Sequence, residues 1–289
     1  MVRGSLRGIE FEDTDCHIYS IKPQPTIEIG WKLKRTTQNL NNLFFFIYRG
    51  ESPSELKRIN SEPIPSNVYP HYMDTTVKLL MFHKNYYYQV VAEEIINGTT
   101  VNKFPSKVFT WQGSLDIQGM YIVDEHLFAF RHVFGIPAFL YKKKNEGVRC
   151  TNCWDSVLKR VTKSNCTSCF GTGFLQGYYP SIPIWIDLNP DPSAAQIADF
   201  GVKEPGQTDC LFIHYPLLQL GDIILELESF RFWRVVNDRT SEKNRNTLLQ
   251  VARLDEVNRS DVEQSLEVDQ ELRSKLLKEL DNRQKIPEF

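Results

Sequence analysis

Residues 149–173 read RCTNCWDSVLKRVTKSNCTSCFGTG and hold four of the chain's six cysteines, paired as Cys150 with Cys153 and Cys166 with Cys169. A Cys-x-x-Cys turn sets two thiolates at the separation one metal ion takes, and a second such turn completes a tetrahedral shell. Competing readings fit less well. Two disulfides need an oxidising compartment, a redox pair opens a helix in a βαβ setting that is missing around it, and iron–sulfur clusters use other spacings. The reading is therefore a structural Zn2+ on Cys150, Cys153, Cys166 and Cys169. Four sulfurs leave no position for a water, so no catalytic role follows, and no His-x-Glu precedes the pairs as a zinc deaminase needs. Gly171 and Gly173 allow the tight turn behind the second pair.

Two apolar runs, IPAFLYKKK and YYPSIPIWIDL, flank this stretch. Read as strands, they make it an excursion from a sheet whose neighbours are Phe139 to Tyr141 and Ile182 to Ile186, with a metal holding the ends together. The cations Lys142, Lys143, Lys144, Arg149, Lys159, Arg160 and Lys163 form the dense basic cluster of the sequence. They read as a solvated rim, or as a contact patch for an acidic neighbour or for DNA. Downstream, a Pro- and Asp-rich loop precedes three alternating runs, CLFIHYP, DIILELESFRFWRVVNDRT and NTLLQVARLDEV, which predict a small antiparallel barrel at 189–259. Residues 260–289 predict an amphipathic helix and tail, with Val262, Leu266, Leu272, Leu276, Leu277 and Leu280 as a broken stripe that needs a partner surface.

Upstream, the rhythm is that of strands. TIEIGWKL puts Ile27, Ile29, Trp31 and Leu33 on one face, NLFFFIYRG is denser, and YYYQVVAEEI runs into a hairpin turn at Asn97-Gly98. Residues 17–112 thus predict a small β-sandwich. Between them and the cysteine region, Met120, Val123, Leu127, Phe130 and Phe134 recur at helical spacing, predicting a linking helix at 113–136.

The chain has 289 residues, 41% of them hydrophobic and 24% charged, with a formal charge of -2. Such a balance excludes a generally basic nucleic-acid-binding surface. No apolar run is long enough to span a bilayer, and the first residues lack a secretory pattern, so the expectation is synthesis in a reducing cytoplasm. The six histidines are scattered. No phosphate-binding, dinucleotide or nucleophile-elbow motif occurs. The chain is expected not to be an enzyme and to take no small-molecule substrate. Cys16 and Cys210 are isolated and read as unreactive.

Three resemblances add to this. Trp31, the run FFFIYRGESP, Asp74, and Tyr86, Tyr88, Val90 and Ala92 resemble a fibronectin type III domain. The segment from Lys142 to Ile186, through Gly147, Arg149, Cys153, Trp154, Asp155, Gly171, Thr172, Gly173, Gly177, Tyr178, Tyr179 and Pro180, resembles a segment of tailed-bacteriophage virion proteins. Gly221-Asp222 opening a strand, Trp233-Arg234-Val235 ending the next and Gln250 in a closing strand are similar to the small barrel of phage head-closure and neck proteins. The resemblances imply a mainly β, multidomain chain. Its parts are a fibronectin type III-like sandwich, a linking helix, a zinc ribbon at 137–188 inserted beside a small antiparallel β-barrel, and a C-terminal helix. They imply a structural virion protein, made in the host cytoplasm, that assembles in a ring at the neck or head-to-tail connector and joins other virion proteins, with DNA passing nearby and no membrane contact. A tail or baseplate station is the alternative address, and a nucleic-acid-binding zinc-ribbon protein the alternative class.

Overall fold

The structure is a computed structural model that describes residues 6, 8–20, 25–34, 36, 38–77, 86–110, 117–190, 206–243 and 246–284. Most of the Pro- and Asp-rich loop, His83, residues 113–116 and the tail at 285–289 lie outside them. The chain is mainly β and divides into two compact units, residues 1–120 with 144–150 and residues 121–143 with 151–289.

The first unit holds strands β1 (Phe11–Ser20), β2 (Thr26–Leu33), β3 (Leu43–Gly50), β4 (Lys57–Arg58), β5 (Ile64–Pro65), β6 (His71–Asp74), β7 (Tyr87–Ile96), β8 (Thr99–Pro105) and β9 (Phe109–Thr110). They form one sheet ordered β1-β2-β6 and a second ordered β4-β3-β7-β8, with β5 on β3 and β9 on β7. The alternating positions Ile27, Ile29, Trp31 and Leu33 of β2 meet Leu43, Phe45 and Ile47 of β3 and Tyr88, Val90 and Ala92 of β7 in one core. A period of two puts every second side chain on the same face, so each sheet buries one face against the other. The β7–β8 turn has positive φ at both Asn97 (51°) and Gly98 (77°), the handedness that matches strand twist in a two-residue hairpin.

A polar knot fastens this core. The fully buried Asp74 accepts hydrogen bonds from Arg49 Nη1 (2.6 Å) and Tyr88 Oη (3.0 Å), and from the Thr76 amide (3.0 Å) and hydroxyl (2.7 Å). Four donors on one carboxylate satisfy what burial would otherwise leave unpaired. Arg49 extends it by donating to the Thr76 hydroxyl at 2.9 Å.

Glu28 breaks the alternation, because it lies out of phase with the core face of β2 yet is only 1% exposed. Burial, and secondarily the Asp15 carboxylate, push its carboxyl up to about 10. The fold therefore keeps a proton that the unfolded chain releases above about pH 4.3. Between those values the unfolded state binds fewer protons, so stability falls as pH rises, by up to about 1.4 kcal/mol per pH unit. Glu28→Gln is expected to flatten that slope and to stabilise the first unit at pH 8. Denaturant titrations at pH 5 and pH 8 check this, and an unchanged slope in the variant would refute the assignment.

The second unit is built on a closed antiparallel barrel. Its strands are β10 (Ile136–Tyr141), β13 (Ile182–Pro190), β14 (Gln207–Ile213), β15 (Ile223–Glu226), β16 (Phe232–Lys243) and β17 (Asn246–Glu256), in the order β10-β13-β14-β17-β16-β15. The short strands β11 (Trp154–Asp155) and β12 (Arg160–Val161) form a separate hairpin. The barrel is thus wider in sequence than 189–259, because β10 and β13, which flank the cysteine excursion, are two of its staves. Trp233, Arg234 and Val235 lie at the start of β16 rather than at a strand's end.

Ala138, Leu140, Ile184, Ile186, Phe212, Ile224, Trp233, Val235, Ala252 and Leu254 come from all six strands and fill the interior, with Phe130 of helix α1 (Ile117–His132) packed on them. The alternate residues Phe139, Tyr141, Ile223, Leu225 and Phe232 point outward and pack with Leu272, Leu276 and Leu277 of helix α2 (Gln270–Gln284). β10 is buried on both faces, so its sequence is a continuous apolar run rather than an alternating one.

The partner that the terminal stripe needs is therefore this chain's own barrel. The helix begins at Gln270, later than residue 260, because Val262–Ser265 forms only a 3-10 turn and Asp269 Oδ1 caps the true start by accepting the Leu272 amide (2.9 Å). Arg273 donates to the Leu227 carbonyl (3.0 Å) and Arg283 to the Gly135 carbonyl (2.7 Å), which pins both ends. On α1, Met120, Val123 and Phe130 are buried and Leu127 partly so, whereas Phe134 lies past the helix end and is 44% exposed.

Candidate metal centre

The sulfurs of Cys150, Cys153, Cys166 and Cys169 lie within 4.8 Å of one another. Cys150, Cys153 and Cys169 are buried and Cys166 is partly exposed. The closest approach, Cys153 Sγ to Cys169 Sγ, is 3.0 Å, well beyond the roughly 2.05 Å of a disulfide. Four thiolates around one ion at about 2.3 Å from each sit a little under 4 Å apart, so the donor set and its spacing suit a metal ion.

Local backbone chemistry builds each turn. Behind the second pair, the amides of Cys169 and Phe170 both donate to the Cys166 carbonyl (3.3 and 2.7 Å), and the Thr172 amide and hydroxyl cap the Cys169 carbonyl (2.9 and 2.7 Å). The first pair is tied to the hairpin through Thr162, whose amide and hydroxyl donate to the Cys153 carbonyl (2.8 and 2.9 Å). Asn152 Nδ2 donates to Ser168 Oγ at 3.2 Å and joins the two turns.

Phe170, Gly171, Gly173, Gln176 and Gly177 all have positive φ. At Gly177 (φ 58°) an added Cβ would stand 2.5 Å from the Cys169 carbonyl oxygen, so side-chain clash joins a left-handed backbone that alone costs roughly 1–2 kcal/mol. Gly177→Ala is expected to weaken metal retention, seen as easier stripping in a chelator competition. Retention equal to the parent would show that this turn does not govern the site.

The excursion's ends need no metal to meet. Leu140 pairs with Ile182 in the β10–β13 ladder, the Tyr179 amide donates to the Lys142 carbonyl (2.9 Å), and Lys143 bridges Tyr178. The ladder closes the neck, and an ion would order what lies beyond it.

The seven cations do not form one patch. Lys142 is 1% exposed and Lys144 is 8% exposed. Lys143 and Arg149 are half-buried, and Lys159, Arg160 and Lys163 are exposed on or near the β11–β12 hairpin. The reason is the ladder: Lys142 continues β10 past its apolar run, so its stem is carried inward and its ammonium meets Asp222. Lys142 Nζ donates to Asp222 Oδ2 and to the Leu217 carbonyl (2.5 Å), while Asp222 also accepts the amides of Lys143 (2.9 Å) and Gln219 (2.8 Å). Burial pulls Lys142 down and pushes Asp222 up from their ordinary values, and each partner opposes the other's shift.

Gln250 is a second fastener. It donates to the carbonyls of Ile213 (2.8 Å) and Pro216 (3.0 Å) and accepts the Leu218 amide (2.8 Å), tying β17 to the connection after β14. Gly221-Asp222 and Gln250 were legible as marks of a barrel. Their buried bonding was not, because the Lys142 partner of Asp222 and the partners of Gln250 are distant in sequence.

Burial lifts the Cys16 thiol to about 12 and also raises Cys210, so both stay protonated and unreactive at neutral pH. No helix among the described residues is long and apolar enough to cross a membrane. The chain matches no family model and no curated protein.

Proposed function

We propose that this chain is a structural component of a tailed-phage virion, a neck or head-to-tail connector protein that assembles in a ring. One observation carries the reading: apart from Gly147 and Arg149, the residues that resemble phage virion proteins lie in the second unit, where several of them shape its turns and barrel. Cys153, Gly171 and Gly177 shape the metal turns, Tyr178 and Tyr179 close the excursion's neck, and Asp222 and Gln250 lock the barrel. A metal shell made of four sulfurs supports a shape-holding role, and Zn2+ on Cys150, Cys153, Cys166 and Cys169 suits it. When bound, the ion would cross-link the two turns and supply no open position for a reactant. The module is read as a zinc ribbon.

The first unit is read as a fibronectin type III-like domain. Its sheets β1-β2-β6 and β4-β3-β7-β8 support this, since strands one, two and a later one share a sheet, and the third strand pairs in the other with β7, which in turn carries β8.

Mass spectrometry of purified particles tests the proposal, and absence of the chain from them would overturn it. Its position in a cryo-EM map of the particle separates the neck from the tail or baseplate. The exposed cations Lys159, Arg160 and Lys163 favour one second reading, a nucleic-acid contact through the hairpin. That reading expects affinity for duplex DNA that falls steeply with salt, and flat filter-binding titrations would end it.

A further inference from the structure

Among the apolar groups that the described part of the second unit exposes, two surfaces differ in shape and charge. The first is the tip of the β11–β12 hairpin. Asp155 Oδ1 accepts the amides of Val157 (2.8 Å) and Leu158 (2.9 Å), and Lys159 turns the chain at φ 50°, so the tip is held in one conformation. That conformation leaves Val157 86% and Leu158 56% exposed, and Val157 is the most exposed large apolar side chain among the described residues. The cations Lys159 and Arg160 follow directly and are exposed. A turn fastened by two side-chain bonds while presenting two aliphatic groups to water costs solubility with no gain to its own fold.

The second surface is the outer face of α1. Tyr121 is 49% exposed and Phe128, seven residues on, is 59% exposed. Glu125 lies exposed between them on the same face. The basic residue nearby, Arg131, is already engaged by Glu279 at 3.1 Å, and His132 is occupied by its ring contact with Phe128 at 4.8 Å between centroids. The face is thus a shallow aromatic strip with an exposed carboxylate between its rings, for which no ion pair is formed among the described residues.

We infer that the hairpin tip of one copy seats on the α1 face of the next, with Val157 and Leu158 against Tyr121 and Phe128, and Lys159 and Arg160 beside Glu125. The occupant is a second copy because each surface supplies what the other lacks: a cationic aliphatic knob and an anionic aromatic seat. The two patches are different parts of one chain, so the contact is head-to-tail. Repeated, it generates a closed ring or an open filament rather than a two-fold dimer. The inference rests on the assembly reading above only for the choice of a ring.

Sedimentation of the full chain tests it. The parent is expected to self-associate with rising concentration. Val157→Asp with Leu158→Asp, and separately Tyr121→Ser with Phe128→Asp, are each expected to weaken self-association at least roughly tenfold, the scale of losing an apolar anchor. Mixed in equal amounts, the two variants are expected to form a dimer and nothing larger, because each retains one intact half of the contact. Recovery of that dimer also shows that both variants are folded.

Association unchanged in either variant, or no dimer from the mixture of two folded variants, would overturn the contact while leaving the ring reading standing on other surfaces. A parent that stays monomeric would overturn the contact and its self-assembly, whereas presence in particles is judged separately by mass spectrometry. Tip-dependent binding of a monomeric parent to phosphatidylglycerol vesicles or to duplex DNA would assign the knob to that partner and overturn the proposal.

Discussion

Stripping the metal from the folded protein is expected to unfold the excursion between Lys144 and Gly177 and to leave the barrel standing. The excursion has little apolar material of its own: Cys150, Cys153, Cys169 and Phe174 are buried, while residues 156–160 and 162–165 are exposed. Its regular structure is two strands of two residues each. Such a segment cannot offset the entropy of ordering its backbone, about 1–2 kcal/mol per residue, without its ion. Structural zinc in finger-like peptides contributes about 10–16 kcal/mol at neutral pH.

The amides of Thr162, Phe170, Thr172 and Gln176, which donate within the turns, are expected to lose hydrogen-exchange protection on chelation. Those of the β14–β17 ladder should keep it, since the neck is closed by backbone pairing. Cys153→Ser is expected to act as the chelator does and to abolish stoichiometric metal in elemental analysis. Protection of the turns that survives complete metal removal would show that the sulfurs hold no ion of consequence, and simultaneous loss in the barrel would show that the neck depends on it.

Lys142→Met is expected to destabilise the second unit by about 3–5 kcal/mol, the scale of breaking a buried ion pair from one side. The Asp222 carboxylate, fully buried, would keep two amide donors but lose its countercharge. The Leu217 carbonyl would lose its donor as well. Adding Asp222→Asn is expected to recover part of the loss, because the remaining group is then neutral. Denaturant unfolding followed by the fluorescence of Trp233, in the barrel interior, measures both. A single-variant loss under about 1 kcal/mol, typical of exposed pairs, would place Lys142 at the surface after all.

These two sites show how far the chain can be read in one dimension. The four-cysteine cluster was legible because its sulfurs come from two local turns, each set by a three-residue spacing. The glycines behind the second pair have the positive φ their positions imply. The core face of β2 was legible for the same reason, since a strand's period of two puts every second residue on one side.

The cation run at 142–144 was legible as charge and not as place. A charged residue belongs to the surface unless a partner meets it, and Asp222 lies eighty residues away in sequence. Glu28 is a similar case, since an alternating strand predicts its outward face to be wet and it is buried.

From the residues alone came the two cysteine turns, the longer strands such as β2, β3, β7 and β10, and the amphipathic character of both helices, all of which are set by interactions between near neighbours. Tertiary structure alone decided that β10 and β13 belong to one closed barrel, that α2 covers that barrel rather than another molecule, and that a lysine at the end of an apolar run is an internal ion-pair partner. Those outcomes depend on which distant segments hydrogen-bond across the ladder, and the free energy of such pairing is shared between strands rather than carried by either one.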